Sequence, residues 1–359
     1  MPKKRAILHY KWSLSDGHVM QQITQVKSYK GILLAREPKR IWKASNLKDH
    51  ICPIGKLLEN PRKVIKKHRI KAIHIHHATL ASKLLHLKKK YGLPMIVGVR
   101  GKDATSYPKK KENKQFLEKL FKTADLFLPV CHHLKDQLIK LGCPKKKIRV
   151  LYGGVDLSRF KFTPRKFPKD RPVRFLAVGR FVNKKGFEDL IDAFAILQKN
   201  HKNTELTLIG EGERLKKYQR KIAKYGLNDQ VHIIPWVNYQ KIQDAYFEAD
   251  IFCAPSRTDK DGNQEGIPNT LKEAMATGMP CIATKHAGIP EIMKSKVSGL
   301  LVPEQNVNRL AKAMKAIIEH PEKWERYSVN ARKKIVKSFN LTKQLAKQKG
   351  YYDELLKKG

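Results

Sequence analysis

Short apolar runs alternate along this chain with longer stretches in which apolar positions recur every three or four residues. In the first half RAILHY (5–10), KAIHIHH (71–77), PMIVGV (94–99), ADLFLPV (124–130) and KIRVLYG (147–153) are rich in β-branched side chains and read as strands. The second half repeats the rhythm with VRFLAVGR (173–180), TELTLIG (204–210), QVHIIPW (230–236), ADIFCAPS (249–256), MPCIAT (279–284) and SGLLVP (298–303). Helical periodicity fills the intervals: Phe187, Leu190, Ile191, Phe194 and Leu197, for example, fall on one helical face. Strands alternating with helices predict βαβ units and parallel sheets with helices on both faces. Two such series predict an α/β protein with two doubly wound domains.

The rhythm pauses at FKFTPRKFPKDRPVR (160–174), which has three prolines, six basic residues and no apolar periodicity, and so reads as a linker. The boundary is placed between 164 and 165, giving domains 1–164 and 165–340. From about 341 to 359 a last helix offers Leu341, Leu345, Tyr352 and Leu355 for packing. At 359 residues the chain is too long for one ordinary core, which agrees with two domains.

No window of eighteen apolar residues occurs, and MPKKRAILHY lacks the apolar run of a signal peptide, so a cytoplasmic protein is expected. Five cysteines, far apart and without a C-x-x-C, read as buried thiols rather than disulfides or a zinc site.

Charge changes the picture more than composition does. The net +43 would attract any polyanion, and it is unevenly spread. Residues 1–165 hold 39 basic and 10 acidic side chains, whereas 166–359 hold 36 and 22. RKVIKKHR (62–69), LKKKYG (87–92), PKKKENKQ (108–115) and PKKKIR (144–149) carry much of the excess, and each alone reads as a solvated face or turn.

Candidate chemistry gathers in the second half. Gly179 and Gly186 bracket a loop that carries Arg180, Lys184 and Lys185 just before a helix. Strand carboxyl ends bind ligands in open α/β sheets, and cations beside free helix-start N–H groups suit a diphosphate. Ordinary surface lysines are the equal alternative. Gly210 and Gly212 mark another strand-to-helix turn, a weak sign on its own. In QEGIPNTLKEAMATGMPCIAT (264–284), Pro268 and Gly278 predict a helix from about 268 to 277, with Glu265 before it and Glu273 within it. Either the helix dipole favours Glu265 and Glu273 is exposed, or both acids accept hydrogen bonds from sugar hydroxyls at the two ends of a diphosphate. The Asp259-Lys260-Asp261 triplet before Gly262 reads as a plain turn rather than a metal-binding D-x-D.

EGIPNTLKEAMATGMPCIAT followed by HAGIPEIM closely resembles the E-x7-E motif of the family 4 retaining glycosyltransferases. VGRFVNKKGFEDLIDAF resembles that family's phosphate-binding segment, and LPVCHHLKDQLIKLGCPKKKIRVLYGGVDLSRF the segment closing its N-terminal domain. The resemblance is close over about 130–345 and looser before. It implies the GT-B fold: two Rossmann-like domains facing across a cleft, acceptor on the first, nucleotide-sugar donor on the second, and the last helix crossing back to the first.

Residue by residue, the resemblance implies that Arg180 and Lys185 hold the diphosphate and that Glu265 contacts the transferred sugar. Glu273 would accept from the ribose, and Gly179, Gly210, Gly212, Gly266, Ile267 and Pro268 would line the donor site. With cations supplying the charge, no metal and no further cofactor is expected. Where many members carry a histidine on the acceptor side, this chain has Arg100, with Asp103 nearby. A guanidinium stays protonated and cannot act as a general base, so Arg100 is read as a holder of an anionic group. His76 and His77 are further acceptor-side candidates, equally readable as packed residues. Pro235 stands where a glycine is common.

A basic acceptor domain suits a glycan or polyprenyl-(pyro)phosphate-linked acceptor at an anionic membrane surface, with peripheral attachment to the inner face of the cell membrane. Phe116, Leu117, Leu120 and Phe121 could form an interfacial helix, although a core-facing helix is the favoured reading. A nucleic-acid-binding protein is the rival from another class. It lacks a recognition helix, zinc finger or aromatic RNA-binding motif, and no specific nucleic acid is expected. A GT-B protein that binds without transferring is the third possibility.

Overall fold

The computed structural model describes residues 5–10, 17–35, 50–235 and 242–357. The chain divides into two compact units, residues 1–154 with 341–359, and residues 155–340. Among the described residues each contains one six-stranded sheet, and every pairing is parallel.

In the first unit the strands are β1 (Arg5–Tyr10), β2 (Tyr29–Ala35), β3 (Ile51–Pro53), β4 (Ile70–Ile75), β5 (Met95–Val99) and β6 (Leu126–Pro129), ordered 3-2-1-4-5-6. The second unit has β7 (Val173–Val178), β8 (Thr204–Ile209), β9 (Val231–Ile234), β10 (Ile251–Ala254), β11 (Cys281–Thr284) and β12 (Leu300–Val302), ordered 12-11-10-7-8-9. Renumbered within its own unit, the second order is the same. Both are the dinucleotide-fold order, whose direction reverses between the first and fourth strands. The switch points therefore lie between β1 and β4 and between β7 and β10, the latter pair in register at Phe175 with Ile251.

Strands buried on both faces read as continuous apolar runs, and the core of the second unit follows from this. Phe175 and Ala177 of β7, Leu206 and Leu208 of β8, and Leu190, Ile191 and Phe194 of the helix Phe187–Gln198 pack as one cluster. In the first unit the last helix, Leu341–Lys357, is part of the core through Tyr352. Its Gln348 Nε2 donates to the Gln22 carbonyl (3.0 Å), and Tyr29 donates to Asp353 (2.7 Å).

Three expectations change. KIRVLYG is not a strand: Arg149 and Leu151 bond the β6 backbone, but only one bridge, Ile148 with Phe127, forms. β2 and β3 are strands that the sequence reading passed over. The linker at 160–174 is in part a packed segment of the second unit. Phe160 is fully buried, Thr163 N–H bonds the Thr277 carbonyl (2.9 Å), and the Arg165 guanidinium bonds the carbonyls of Thr163, Tyr246, Ala249 and Thr277. The division accordingly falls at 154/155 rather than 164/165.

All five cysteines are free and buried. In the helix Lys111–Thr123, Leu117, Leu120 and Phe121 face the core. Among the described residues no helix is long and apolar enough to cross a membrane. Trp236 and Val237, after Pro235, lie outside the described residues.

Candidate active site

The loops that follow β7 and β10 emerge side by side at the switch point of the second sheet. After β7 the chain makes one tight turn, Asn183–Lys185, before the helix Phe187–Gln198. Gly186 closes it with φ +67°, and a Cβ there would lie 1.9 Å from the Pro255 carbonyl oxygen, so the turn is pressed against the end of β10. The loop after β10 runs to Pro268, which caps the helix Asn269–Thr277.

These loops bring Lys185 and Glu265 together. The Lys185 ammonium is 3.0 Å from each oxygen of Glu265, and the Lys184 ammonium is 3.8 Å from the nearer one. Ser256 Oγ approaches the same carboxylate at 3.5 Å. Glu265 is only 8% exposed. Burial pushes its carboxyl up, but the Lys185 and Lys184 ammoniums outweigh burial and hold it down at about 2. Burial also lowers Lys184, against the pull of Glu265.

A network beneath fixes the turn. Arg257 donates to Asp189 (2.7 Å), to the Asn183 carbonyl (3.2 Å) and to the Asn183 side chain, and its N–H bonds the Lys184 carbonyl (2.9 Å). Asn183 Nδ2 in turn donates to Asp259 (2.6 Å). Asp259 also accepts from Lys260 N–H, and Asp261 accepts from Asn263 N–H, so both carboxylates of the D-x-D triplet are engaged in turn bonds.

Gly179 packs under the Lys185 stem, where a Cβ would lie 3.1 Å from Cε. Gly210 and Gly212 back onto the same loop; a Cβ at Gly210 would come within 2.0 Å of the Gly179 oxygen, and one at Gly212 within 2.6 Å of the Phe181 oxygen. Arg180 is exposed and forms no ion pair among the described residues. The Gly266 carbonyl accepts from Gly288 N–H (3.1 Å), Pro268 is buried, and Ile267 is half-buried.

Glu273 stands apart from this cluster. It is 2% exposed and accepts from the Tyr246 hydroxyl at 2.6 Å, so the alternative of an exposed acid on a helix face is excluded. Tyr246, His286 and Glu304 are residues that sequence reasoning missed. His286 stood within HAGIPEIM, but nothing in its spacing revealed a buried partner.

In the first unit Arg100, Asp103 and His76 gather at the carboxyl ends of β4 and β5. Buried Asp103 accepts from Arg100 N–H (3.0 Å) and Thr79 N–H (3.3 Å) and faces His77 Nδ1 at 3.5 Å. Burial raises its carboxyl, but His77 and the two N–H groups bring it below the usual range. Arg100 Nη2 reaches Gln22 Oε1 (3.0 Å) and His76 Nδ1 (3.4 Å). His76 Nε2 lies 3.0 Å from His9 Nδ1, and His74 Nδ1 lies 2.7 Å from the Tyr352 hydroxyl.

The ring nitrogens of His9, His74 and His76 lie within 4.8 Å of one another, close enough to suggest a metal site. The donor pattern points elsewhere. Arg100 only donates, so His76 Nδ1 accepts and its proton sits on Nε2, toward His9. Gln348 Nε2 donates to Tyr352 (2.6 Å), whose own proton then goes to His74 Nδ1. Each Nδ1 thus faces a donor, as suits neutral buried rings. Burial alone lowers His9 to about 3, and burial, then His9 and Arg100, lowers His74.

Two Rossmann-like units in one chain are the GT-B fold, which this chain shares with solved structures over almost its whole length. A glycosyltransferase from Rickettsia africae ESF-5 superposes with TM-score 0.82 at 19% identity, covering 99% of this chain and 100% of that one. HepE of Anabaena, crystallised with UDP, gives 0.80 at 17% identity, covering 98% and 100%. Residues 159–334 match the family described as glycosyl transferases group 1, and residues 36–159 match glycosyltransferase family 4. The chain belongs to the family 4 glycosyltransferases.

It is 34% identical over 269 residues to the amylovoran biosynthesis glycosyltransferase AmsK of Erwinia amylovora, covering 75% of this chain and 66% of AmsK. It is 34% identical over 224 residues to the putative colanic acid biosynthesis glycosyltransferase WcaL of Escherichia coli K12, covering 62% and 55%. The chain therefore matches between about half and two thirds of the length of these relatives.

Proposed function

We propose that this chain is a retaining, metal-independent glycosyltransferase using a nucleotide-diphosphate sugar, most simply a UDP-sugar. Its acceptor is a glycan or polyprenyl-(pyro)phosphate-linked sugar in surface polysaccharide or glycolipid synthesis. The observation that carries this reading is Glu265, buried and ionised against Lys184 and Lys185, just before a helix whose first N–H groups have no intrahelical partner. AmsK and WcaL, named for amylovoran and colanic acid synthesis, support the product class, and HepE, crystallised with UDP and with UDP-glucose, supports the donor.

In this reading the diphosphate lies along the helix start. An ammonium has three donors, so Lys185 serves Glu265 and a phosphate oxygen together. Exposed Arg180 supplies the second cation, and the backbone of Gly179, Gly266, Ile267 and Pro268 gives close approach. When the bond from the anomeric carbon to the diphosphate oxygen breaks, its electron pair stays on the diphosphate. Arg180 and Lys185 stabilise that charge, each contact contributing on the order of 10²–10³ in rate. Glu265 accepts from hydroxyls of the transferred sugar, and Glu273, oriented by Tyr246, from the ribose. The acceptor binds the first unit, where Arg100, beside Asp103 and His76, takes its anionic group.

The excess of 39 basic over 10 acidic side chains in residues 1–165 favours peripheral attachment to the anionic inner face of the cell membrane, at about 1 kcal/mol per Lys or Arg near the surface. Release of nucleoside diphosphate from UDP-, GDP- and ADP-sugars, with acceptor lipid and chelator present, tests the reading. One donor turned over, and lost in Glu265→Ala, is expected; equal release by Glu265→Ala would contradict it.

A further inference from the structure

His286 is a fully enclosed side chain at the donor-side cluster, and sugar transfer as derived above gives it no task. It follows the end of β11. Its Nε2 faces the Glu265 backbone N–H at 3.1 Å, and its Nδ1 faces Glu304 Oε1 at 2.8 Å. A backbone N–H only donates, so Nε2 presents a lone pair. The proton of the neutral ring is then on Nδ1 and is donated to Glu304. Turning the ring over would put carbon atoms against both partners and lose both bonds.

The second Glu304 oxygen accepts from Thr258 N–H at 2.6 Å. A continuous chain of bonds, from Thr258 through Glu304 and His286 to Glu265, thus ties both ends of the loop 258–265 to the segments after β11 and β12. Gly288 N–H to the Gly266 carbonyl (3.1 Å) and the Thr284 hydroxyl to the Ser256 carbonyl add two tethers beside it.

We propose that His286, oriented by Glu304, is a positioning residue whose neutral, Nδ1-protonated ring fixes the backbone at Glu265 and so holds that carboxylate against Lys184 and Lys185. On the transferase reading above, this sets the geometry of sugar transfer. Added to Nε2, a proton would place two donors against each other and release the loop. The charged groups facing the ring are Glu304 behind it and Glu265 in front, with Lys184 and Lys185 beyond.

The tautomer is read directly by long-range nitrogen–proton NMR on the full chain with nitrogen-15 histidine, the His286 signals being assigned by their absence in His286→Ala. A neutral ring protonated at Nδ1 at pH 7 is expected. A ring protonated at Nε2, or at both nitrogens, would overturn the proposal. In kinetics, His286→Gln places an oxygen acceptor near the Nε2 position, whereas His286→Asn reaches only the Nδ1 position. Gln should keep kcat within about tenfold, while Asn and Ala lose on the order of 10²-fold, the scale of a small misplacement. Equal losses in all three would sink it. Absence of sugar turnover in the unaltered protein would count against the transferase reading, and the tautomer would still decide the role of His286.

Discussion

Lys185 and Glu265, eighty positions apart, meet with the ammonium 3.0 Å from both carboxylate oxygens. The pair depends on two loops leaving adjacent strands, β7 and β10, in the same direction, so it is a product of the sheet order and not of local sequence.

Its energetics give a pH prediction. The Glu265 carboxyl is lowered in the fold from 4.5 to about 2, so its contribution is fully present above 4.5 and is lost as pH falls toward 2. That shift corresponds to about 3 kcal/mol. Glu265→Gln should destabilise the second unit by about 3–5 kcal/mol at pH 7, because it leaves two half-buried ammoniums unpaired. Denaturant unfolding at pH 7 and pH 3 should show the gap from the unaltered protein narrowing in acid. A constant gap would mean that the ion pair contributes little.

The first unit should fail in a different window. His9, lowered from 6.5 to about 3, is neutral in the fold and protonates readily once unfolded, so its contribution is whole above 6.5 and lost between 6.5 and 3. Hydrogen exchange on acidification should show β1 and β4 losing protection before β7 and β10. The reverse order would contradict the neutral-ring assignment.

Tyr246→Phe removes the 2.6 Å bond to buried Glu273 and should cost about 1–3 kcal/mol. Thermal unfolding with and without UDP separates the two effects expected: a lower midpoint, and a smaller nucleotide-induced shift. A lower midpoint with an unchanged shift would confine Glu273 to packing.

Gly186→Ala combines a left-handed backbone with a Cβ 1.9 Å from the Pro255 oxygen. It should destabilise by more than about 1 kcal/mol and displace the turn carrying Lys185. Asp261→Ala, by contrast, loses one bond to Asn263 N–H in an exposed turn and should stay within about 0.5 kcal/mol, with activity unchanged both with and without chelator. Loss of metal-dependent activity in Asp261→Ala would overturn the plain-turn reading.

Much of this was legible because apolar runs bounded by glycine and proline mark the strands of parallel sheets; eleven runs were read that way, and ten of them are strands. YKGILLA escaped because its apolar core is four residues long, and ICP because three residues carry no period. KIRVLYG misled for the opposite reason: it has strand composition, yet the Lys147 ammonium is bound to the carbonyls of Phe121, Lys122 and Ala124 at the end of the helix Lys111–Thr123, and the segment forms no regular ladder. At the candidate site, Glu265 and Lys185 were readable from motif spacing. Tyr246, His286, Glu304 and Arg257 were not, because each acts through a partner distant in sequence.

Nucleotide selectivity measures the central claim most directly: thermal unfolding with UDP, GDP, ADP and pyrophosphate, at raised salt to suppress nonspecific anion binding. Ligand at a hundred times its dissociation constant should add about 2.7 kcal/mol. A shift with one nucleoside diphosphate, absent with pyrophosphate and abolished in Glu273→Ala, is the predicted result. Equal shifts with every anion, or none with any, would contradict a donor site at Glu265 and Glu273.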